Sequence, residues 1–217
     1  MIHFENRDCM DAMKEFPDNF FDLAIVDPPY GIGEDGTKNK TRGSRFAPAK
    51  EYHPFFGNDK HPPDKEYFAE LFRVSKNQVV FGANHFIEHM PRNSHCWLVW
   101  DKQNDPTDFA DAELAWTSFG GAVRIFRYKW NGMLQENMKD KEKRIHPTQK
   151  PVALYKWILN RFAKNGMKIL DTHVGSGSSL IACDRMGFDV WGYEIDETYF
   201  KLAEERIKRE LAQGTLF

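Results

Sequence analysis

Lys168-Ile-Leu-Asp-Thr-His-Val-Gly-Ser-Gly-Ser-Ser179 is the stretch from which the fold is read. Lys168–Leu170 has the character of a short buried strand, closed by Asp171. Gly175 and Gly177 let the backbone approach a ligand closely, and the helix that follows offers its free N–H groups at the same point. Gly187 ends that helix. The next strand, Val190–Gly192, leads to Glu194, seventeen positions beyond Gly177, where an acid can bond ribose hydroxyls. Leu180 stands where a dinucleotide fingerprint needs its third glycine. The order strand, GxG, helix, strand, acid therefore points to an adenosine-containing ligand and away from a dinucleotide.

Outward from this stretch the pattern repeats. Leu23–Val26, Gln78–Phe81, Trp97–Trp100 and Val123–Tyr128 read as further buried strands. Tyr67, Phe68, Leu71 and Phe72 share one helical face, as do Tyr155, Ile158, Leu159 and Phe162, with Pro151 suited to the first turn. Phe200, Ala203, Ile207 and Leu211 mark a last helix, with Asp196 as its N-cap. Strands alternating with helices predict an α/β fold around a largely parallel sheet, whose ligands lie at the carboxyl ends of the strands.

Composition agrees. A chain of 217 residues suits one domain, and 41% hydrophobic residues suffice for a packed core. No apolar run approaches the roughly 20 residues of a spanning helix. The N-terminus, Met1-Ile-His-Phe-Glu5, lacks the features of a secretory signal. Cys9, Cys96 and Cys183 stand apart with no CxxC pair, which argues against a disulfide scaffold or a zinc ribbon. No metal and no membrane association are therefore expected, and a cytoplasmic location is. A net charge of −2 excludes a globally basic nucleic-acid binder, so any such contact uses local patches. Residues 31–64 read as an inserted mobile loop that carries Lys38, Lys40, Arg42 and Arg45 without an intervening acid. Residues 129–146 form a second polar stretch, mixed in charge.

The strand Leu23–Val26 ends in Asp27-Pro28-Pro29-Tyr30. Neither proline can donate to a ladder, so the sheet stops and the backbone is fixed. The turn presents a carboxylate, a backbone carbonyl and an aromatic ring. Those are the needs of a planar amino group on a nucleobase. Its lone pair is delocalised into the ring, and acceptors at Asp27 and at the Pro28 carbonyl favour a more pyramidal nitrogen. Stacking of a base on Tyr30 is worth about 1–3 kcal/mol by the standard of single-strand binders. A third motif, His146-Pro147-Thr148-Gln149-Lys150-Pro151, enters the helix before the glycine loop, and Thr148 and Lys150 there can grip a carboxylate. Taken singly, the first motif also reads as an ordinary strand exit and the third as a capped helix entry.

Together the three motifs resemble the DNA amino-methyltransferases that use S-adenosylmethionine, in the permuted order of the beta group. There a DPPY motif lies near the N-terminus and an FxGxG motif near the C-terminus. The resemblance covers nearly the whole chain and is nearest to short stand-alone adenine enzymes of phages and prophages. It implies a Rossmann-like class I sheet, mostly parallel and circularly permuted, with helices on both faces, in a single domain over residues 1–217. It also implies methyl transfer from S-adenosylmethionine to adenine N6 in double-stranded DNA, by base flipping and direct attack.

By the same resemblance, Asp27, Pro28 and Pro29 form the catalytic turn that holds the amino group, and Tyr30 stacks on the base. Asn6-Arg7-Asp8-Cys9 resembles the family's Gly-Asp-Cys segment, so Asp8 and the Cys9 backbone would hold the cofactor adenine and Glu194 its ribose. Asp171, Gly175, Ser176, Gly177, Thr148 and Lys150 would surround its methionine part, and Phe81 and Gly82 would line the base pocket. Direct attack needs no covalent intermediate, so Cys96 and Cys183 are expected in the core. Two departures stand out: Asp171-Thr172-His173 replaces the family's Asp-Pro-Phe, and Arg7 replaces its glycine. An Asp-first turn favours adenine. Cytosine N4 transfer, or a non-catalytic DNA-binding module that retains the fold, are the alternatives.

For DNA, Lys141, Lys143 and Arg144 in the 129–146 segment join Lys38, Lys40, Arg42 and Arg45 as expected phosphate contacts, which position a duplex without reading it. The six tryptophans read mostly as core or sheet residues, and Trp130, beside these charges, is the one to test for base contact. So short a recognition segment implies a relaxed target site or help from a second subunit in a homodimer. The terminal Gln213-Gly-Thr-Leu-Phe217 resembles the QLxLF peptide that docks on the bacterial sliding clamp, with Gly214 in place of leucine.

Overall fold

The computed structural model describes residues 1–34, 52–54, 59–91, 93–104, 110–131 and 134–214. In chain order these form β1 (Ile2–Asn6), α1 (Cys9–Met13), β2 (Leu23–Val26), α2 (Lys65–Val74), β3 (Gln78–Phe81), β4 (Leu98–Asp101), β5 (Ala112–Thr117) and β6 (Arg124–Arg127). A two-strand hairpin, β7 (Trp130–Asn131) and β8 (Leu134–Gln135), follows, then α3 (Val152–Phe162), β9 (Lys168–Asp171), α4 (Ser178–Arg185), β10 (Asp189–Glu194) and α5 (Glu197–Gly214).

One eight-stranded sheet runs in the order β1-β10-β9-β2-β3-β5-β4-β6. Every pairing is parallel except those of β5, which runs against both β3 and β4. The carboxyl ends of β1, β2, β3, β4, β9 and β10 therefore meet along one edge, and the reversed β5 brings its first residues, Ala112 and Glu113, to that same edge.

Burial explains why the sheet is covered on both faces. All four residues of β2 are buried, as in strands with helices above and below. Ala24 and Val26 pack with Val80, Leu170, Met13 of α1 and Phe68 and Leu71 of α2. Leu23 and Ile25 point the other way, to Ile169, Ile158 of α3, Leu180 of α4 and Ile207 of α5. Cys96 and Cys183 are buried, as expected. At Gly192 a Cβ would lie 2.7 Å from Val174 and 2.9 Å from Leu180, so only glycine lets α4 pack this closely on β10.

The sequence pattern gave no sign of β1, α1 or β5. Pro151 stands at the N-cap of α3 and not within its first turn; the Val152 N–H donates to Glu142 Oε1 at 3.0 Å instead. Asp196 caps α5 as expected, accepting from the N–H groups of Thr198 and Tyr199. Among the described residues no helix is long and apolar enough to cross a membrane, and no group of three His, Cys, Asp or Glu side chains is placed to hold a metal ion.

Candidate active site

The turn Asp27–Tyr30 leaves the end of β2 at the centre of the sheet edge. Tyr30 folds back so that its hydroxyl donates to Asp27 Oδ1 at 2.7 Å. Its ring lies against Gly82 just beyond β3, where a Cβ would be only 2.1 Å from the Tyr30 Cε1. His85 stacks on the same ring at 5.1 Å between centroids. Phe81 and Gly82 lie beside this turn, Gly82 against the Tyr30 ring and Phe81 against Lys150, whose Nζ lies 4.8 Å from the Phe81 ring centroid.

Lys150 makes contacts that its motif did not announce. Its Nζ is ion-paired with Asp27 Oδ2, lies 3.0 Å from Glu113 Oε2 and donates to the Tyr30 hydroxyl at 3.2 Å. Lys150 therefore touches the Asp27–Tyr30 turn directly. Glu113 is also paired with Lys102, so two lysines and two carboxylates alternate along this edge. Burial raises the Asp27 pKa, and Lys150 counteracts that rise; the two lysines outweigh burial at Glu113 and lower its pKa to about 2. Burial raises the Tyr30 hydroxyl pKa well above its usual value, so Tyr30 stays a donor.

The second cluster surrounds the glycine loop. Gly175 and Gly177 adopt φ of +54° and +80°, which favour glycine. Glu194, at the end of β10, accepts from the N–H of Gly175 at 2.8 Å and of Asp196 at 2.9 Å. Asp171 is buried and spends its oxygens on the Ser179 hydroxyl and the His173 N–H, tying the end of β9 to the start of α4. Burial lifts its pKa to about 7. The Ser176 carbonyl and the Ser178 hydroxyl both bond the buried Arg206 of α5. Asp8 caps α1 through the Met10 N–H at 2.7 Å, and Cys9 follows it with a thiol pushed up to about 12 by burial. Asn6 Nδ2 donates to the Glu194 carbonyl at 2.7 Å, which brings Asp8 and Glu194 to neighbouring strand ends.

Thr148 bonds His146 Nδ1 at 3.0 Å, and the His146 ring lies 3.7 Å from where a Gly175 Cβ would stand. Burial, then Lys150, lower the His146 pKa to about 3, so that imidazole is neutral. Tyr199 sits edge-on to His146 at 4.3 Å and donates to the His53 carbonyl. The departure at 172–173 is satisfied locally: Tyr67 hydroxyl, Thr172 hydroxyl and His173 Nδ1 form a chain of contacts at 2.6 and 2.9 Å. Burial lowers the His173 pKa to about 4.

A family model described as DNA methylase, of the N6/N4 type, matches residues 34–205. The chain belongs to the N6/N4 DNA methylase family. It is similar to the Type II methyltransferase M.HinfI of Haemophilus influenzae, at 26% identity over 93% of this chain and 67% of that protein. It is also similar to the Type II methyltransferase M.HpaI of Haemophilus parainfluenzae, at 24% identity over 92% and 72%. Among solved structures, the M1.HpyAVI–S-adenosylmethionine complex overlays with a TM-score of 0.58 at 21% identity, covering 95% of this chain and all of that one. The PvuII DNA methyltransferase, cytosine-N4-specific, overlays at 0.60 with 11% identity, covering 98% and 92%. These likenesses fix the fold as that of class I DNA methyltransferases.

The methylase therefore uses S-adenosylmethionine, which supplies an electrophilic methyl group when bound. The donor set here suits it. Glu194 keeps carboxylate lone pairs beyond the two given to backbone amides, as ribose hydroxyls require. Of the expected DNA contacts, Lys141 and Lys143 are exposed. Arg144 lies 5.6 Å over the Trp130 ring and donates to the Pro147 carbonyl. Trp130 is 5% exposed and its Nε1 donates to the Gln149 carbonyl, so it faces the core and not a base. Lys38, Lys40, Arg42 and Arg45 lie outside the described residues, as do Thr215–Phe217 of the tail. Sequence reasoning missed Glu113, Lys102 and His85.

Proposed function

We propose that this methylase transfers a methyl group to adenine N6 in double-stranded DNA, in the beta-group order. The observation that carries this reading is the Asp27–Tyr30 turn, held at the end of β2 on the same sheet edge as the glycine loop after β9. The turn precedes the glycine loop in the chain, which supports the permuted arrangement. A flipped base entering this edge meets the Asp27 carboxylate, the Pro28 carbonyl and the Tyr30 ring. Asp27 and the carbonyl accept the two amino N–H bonds and orient the nitrogen lone pair toward the methyl carbon. With S-adenosylmethionine bound, the amino nitrogen would become cationic on taking the methyl group and would lose a proton, which the Asp27 carboxylate is placed to take. Positioning and charge placement supply the acceleration.

Asp8, Cys9, Glu194, Asp171, Gly175, Ser176, Gly177 and Thr148 form the cofactor side of this reading, and Lys150 reaches from it to Asp27. Lys141 and Lys143, with Lys38, Lys40, Arg42 and Arg45, form the DNA side, and Arg144, expected there too, packs over Trp130 and supports that segment. A homodimer completing the recognition surface and clamp docking through Gln213–Phe217 are further parts of it, as is a cytoplasmic location. Cytosine N4 is the second reading, favoured by the overlay with a cytosine-N4-specific enzyme.

The test is methyl transfer from labelled S-adenosylmethionine to unmethylated genomic DNA, followed by nucleoside mass spectrometry. N6-methyladenine from wild type and none from Asp27→Ala is the expected result. N4-methylcytosine would establish the second reading, and cofactor binding without transfer to DNA would support the non-catalytic module.

A further inference from the structure

Glu113 belongs to none of the three motifs, yet it holds the lysine that touches Asp27. Its Oε1 is paired with Lys102, and its Oε2 lies 3.0 Å from Lys150 Nζ. Lys150 in turn is paired with Asp27 Oδ2. The Lys150 side chain is 2% exposed and has the Phe81 ring on one side, so water cannot replace a lost partner. A buried cation left with one anion where it had two is strongly disfavoured. Asp27, for its part, needs a fixed direction: Oδ2 is held by Lys150 and Oδ1 by the Tyr30 hydroxyl, so the carboxylate keeps one orientation and turns its remaining lone pairs one way.

We propose that Glu113 is a positioning residue: acting through Lys150, it fixes the Asp27 carboxylate against the target amino group, while Lys102 holds Glu113 in place. This rests on the reading of Asp27 as the acceptor for that amino group. The titratable groups around the cluster are Asp27 and Tyr30 from the catalytic turn, Glu113 from β5, Lys102 beyond β4, Tyr155 from α3 and His146 from the segment before α3. Burial alone lowers the Lys150 pKa, and Asp27 and Glu113 more than offset it, leaving it above its usual value. Glu113→Gln removes one of those anions while burial stays. Lys150 then loses its proton at a lower pH, and the alkaline limb of the kcat profile moves down with it.

The experiment compares wild type, Glu113→Gln and Glu113→Asp. The expected result for Glu113→Gln is a kcat at neutral pH lower by about 10- to 100-fold, an unchanged KM for S-adenosylmethionine and a lowered alkaline limb. Glu113→Asp, which keeps the charge, is expected to restore the position of that limb. In 15N-lysine-labelled protein without DNA or cofactor, the Lys150 Nζ resonance is expected to titrate at lower pH in Glu113→Gln than in wild type. An unchanged Nζ titration overturns the proposal, as does unchanged kcat or a change confined to the KM for the cofactor. A wild type that transfers no methyl group overturns the reading of Asp27 instead, and the Nζ titration still decides whether Glu113 governs Lys150.

Discussion

Gly82 is the residue on which the aromatic side of the catalytic turn rests. With φ at +67° and the Tyr30 ring where its Cβ would be, it is both strained for any other residue and sterically closed. Gly82→Ala is expected to cost about 1–2 kcal/mol from the backbone alone and to push Tyr30 out of register with Asp27. Methyl transfer should fall roughly 100-fold, as for a catalytic group misplaced by about 1 Å, while calorimetry still finds S-adenosylmethionine bound. A single-turnover rate equal to wild type would show that Tyr30 tolerates displacement. Asp171 makes the opposite kind of prediction, one of stability. Burial raises its folded pKa from 3.8 to about 7, so the folded state prefers the protonated acid. Its favourable contribution is fully present below pH 3.8 and is lost as pH rises through 7. Asp171→Asn mimics the neutral form, so the Tm of wild type relative to this variant should decline between those limits and then level off. A carboxyl moved from 3.8 to about 7 accounts for at most roughly 4 kcal/mol. A Tm difference flat from pH 4 to pH 8 would falsify the assignment of a buried, costly carboxylate.

At the scale of elements, α5 acts as the brace of the glycine loop. Arg206, 1% exposed, donates to the Ser176 carbonyl and Ser178 Oγ on one side and is paired with Glu142 at 2.7 Å on the other. Glu142 also receives the first N–H of α3, so one ion pair ties together α5, the glycine loop, the 129–146 segment and α3. Arg206→Met is expected to cost about 3–5 kcal/mol, the usual result of leaving a buried charge unpaired, and so to lower Tm by roughly 10 °C. Adding Glu142→Gln should recover part of that loss. A Tm drop unchanged by the second substitution would place the cost in packing. This brace was not legible in the sequence, because its partners are far apart in the chain and each looks like an ordinary solvated charge. What was legible was local: the Asp27–Tyr30 turn and the Gly175–Gly177 loop each follow a buried strand directly. β5 was missed because Ala112–Thr117 shows no clean period, being partly exposed at its start and buried at its end. Glu113 was missed with it: in a strand that runs against its neighbours, the residues at their carboxyl edge are its first and not its last. Lys150 was found by its motif, but its contacts with Asp27 and Glu113 were not legible, since the motif says nothing of either.

For the whole molecule, a net charge of −2 means that a duplex must be met by one face and not by the average surface. One candidate face is a cleft of about 630 Å³ lined by Lys141, Lys143, Lys156, Arg185 and Arg209 together with Asp140, Glu142 and Glu210. Much of its charge is already engaged: Arg185 is paired with Glu210 at 3.0 Å, Arg209 lies 3.5 Å from the same acid, and Glu142 is taken by Arg206. Lys141 and Lys143 are exposed at its rim. Arg144, half-buried over Trp130, is placed to support the segment rather than to meet phosphate. Neutralising a phosphate contact reduces the slope of log affinity against log salt by about 0.9. Lys141→Gln with Lys143→Gln should therefore flatten that slope by roughly 2 and weaken binding similarly across DNA sequences. Arg144→Gln should leave the slope as it is and lower Tm. Fluorescence-anisotropy titrations of the three proteins from low to moderate salt, on two unrelated duplexes, separate the cases. If the double lysine variant keeps the wild-type slope, residues 129–146 are not a phosphate-binding element, and the duplex is gripped from another part of the surface. If the Arg144 variant alone flattens the slope, the ring contact with Trp130 opens on binding and the segment rearranges around DNA.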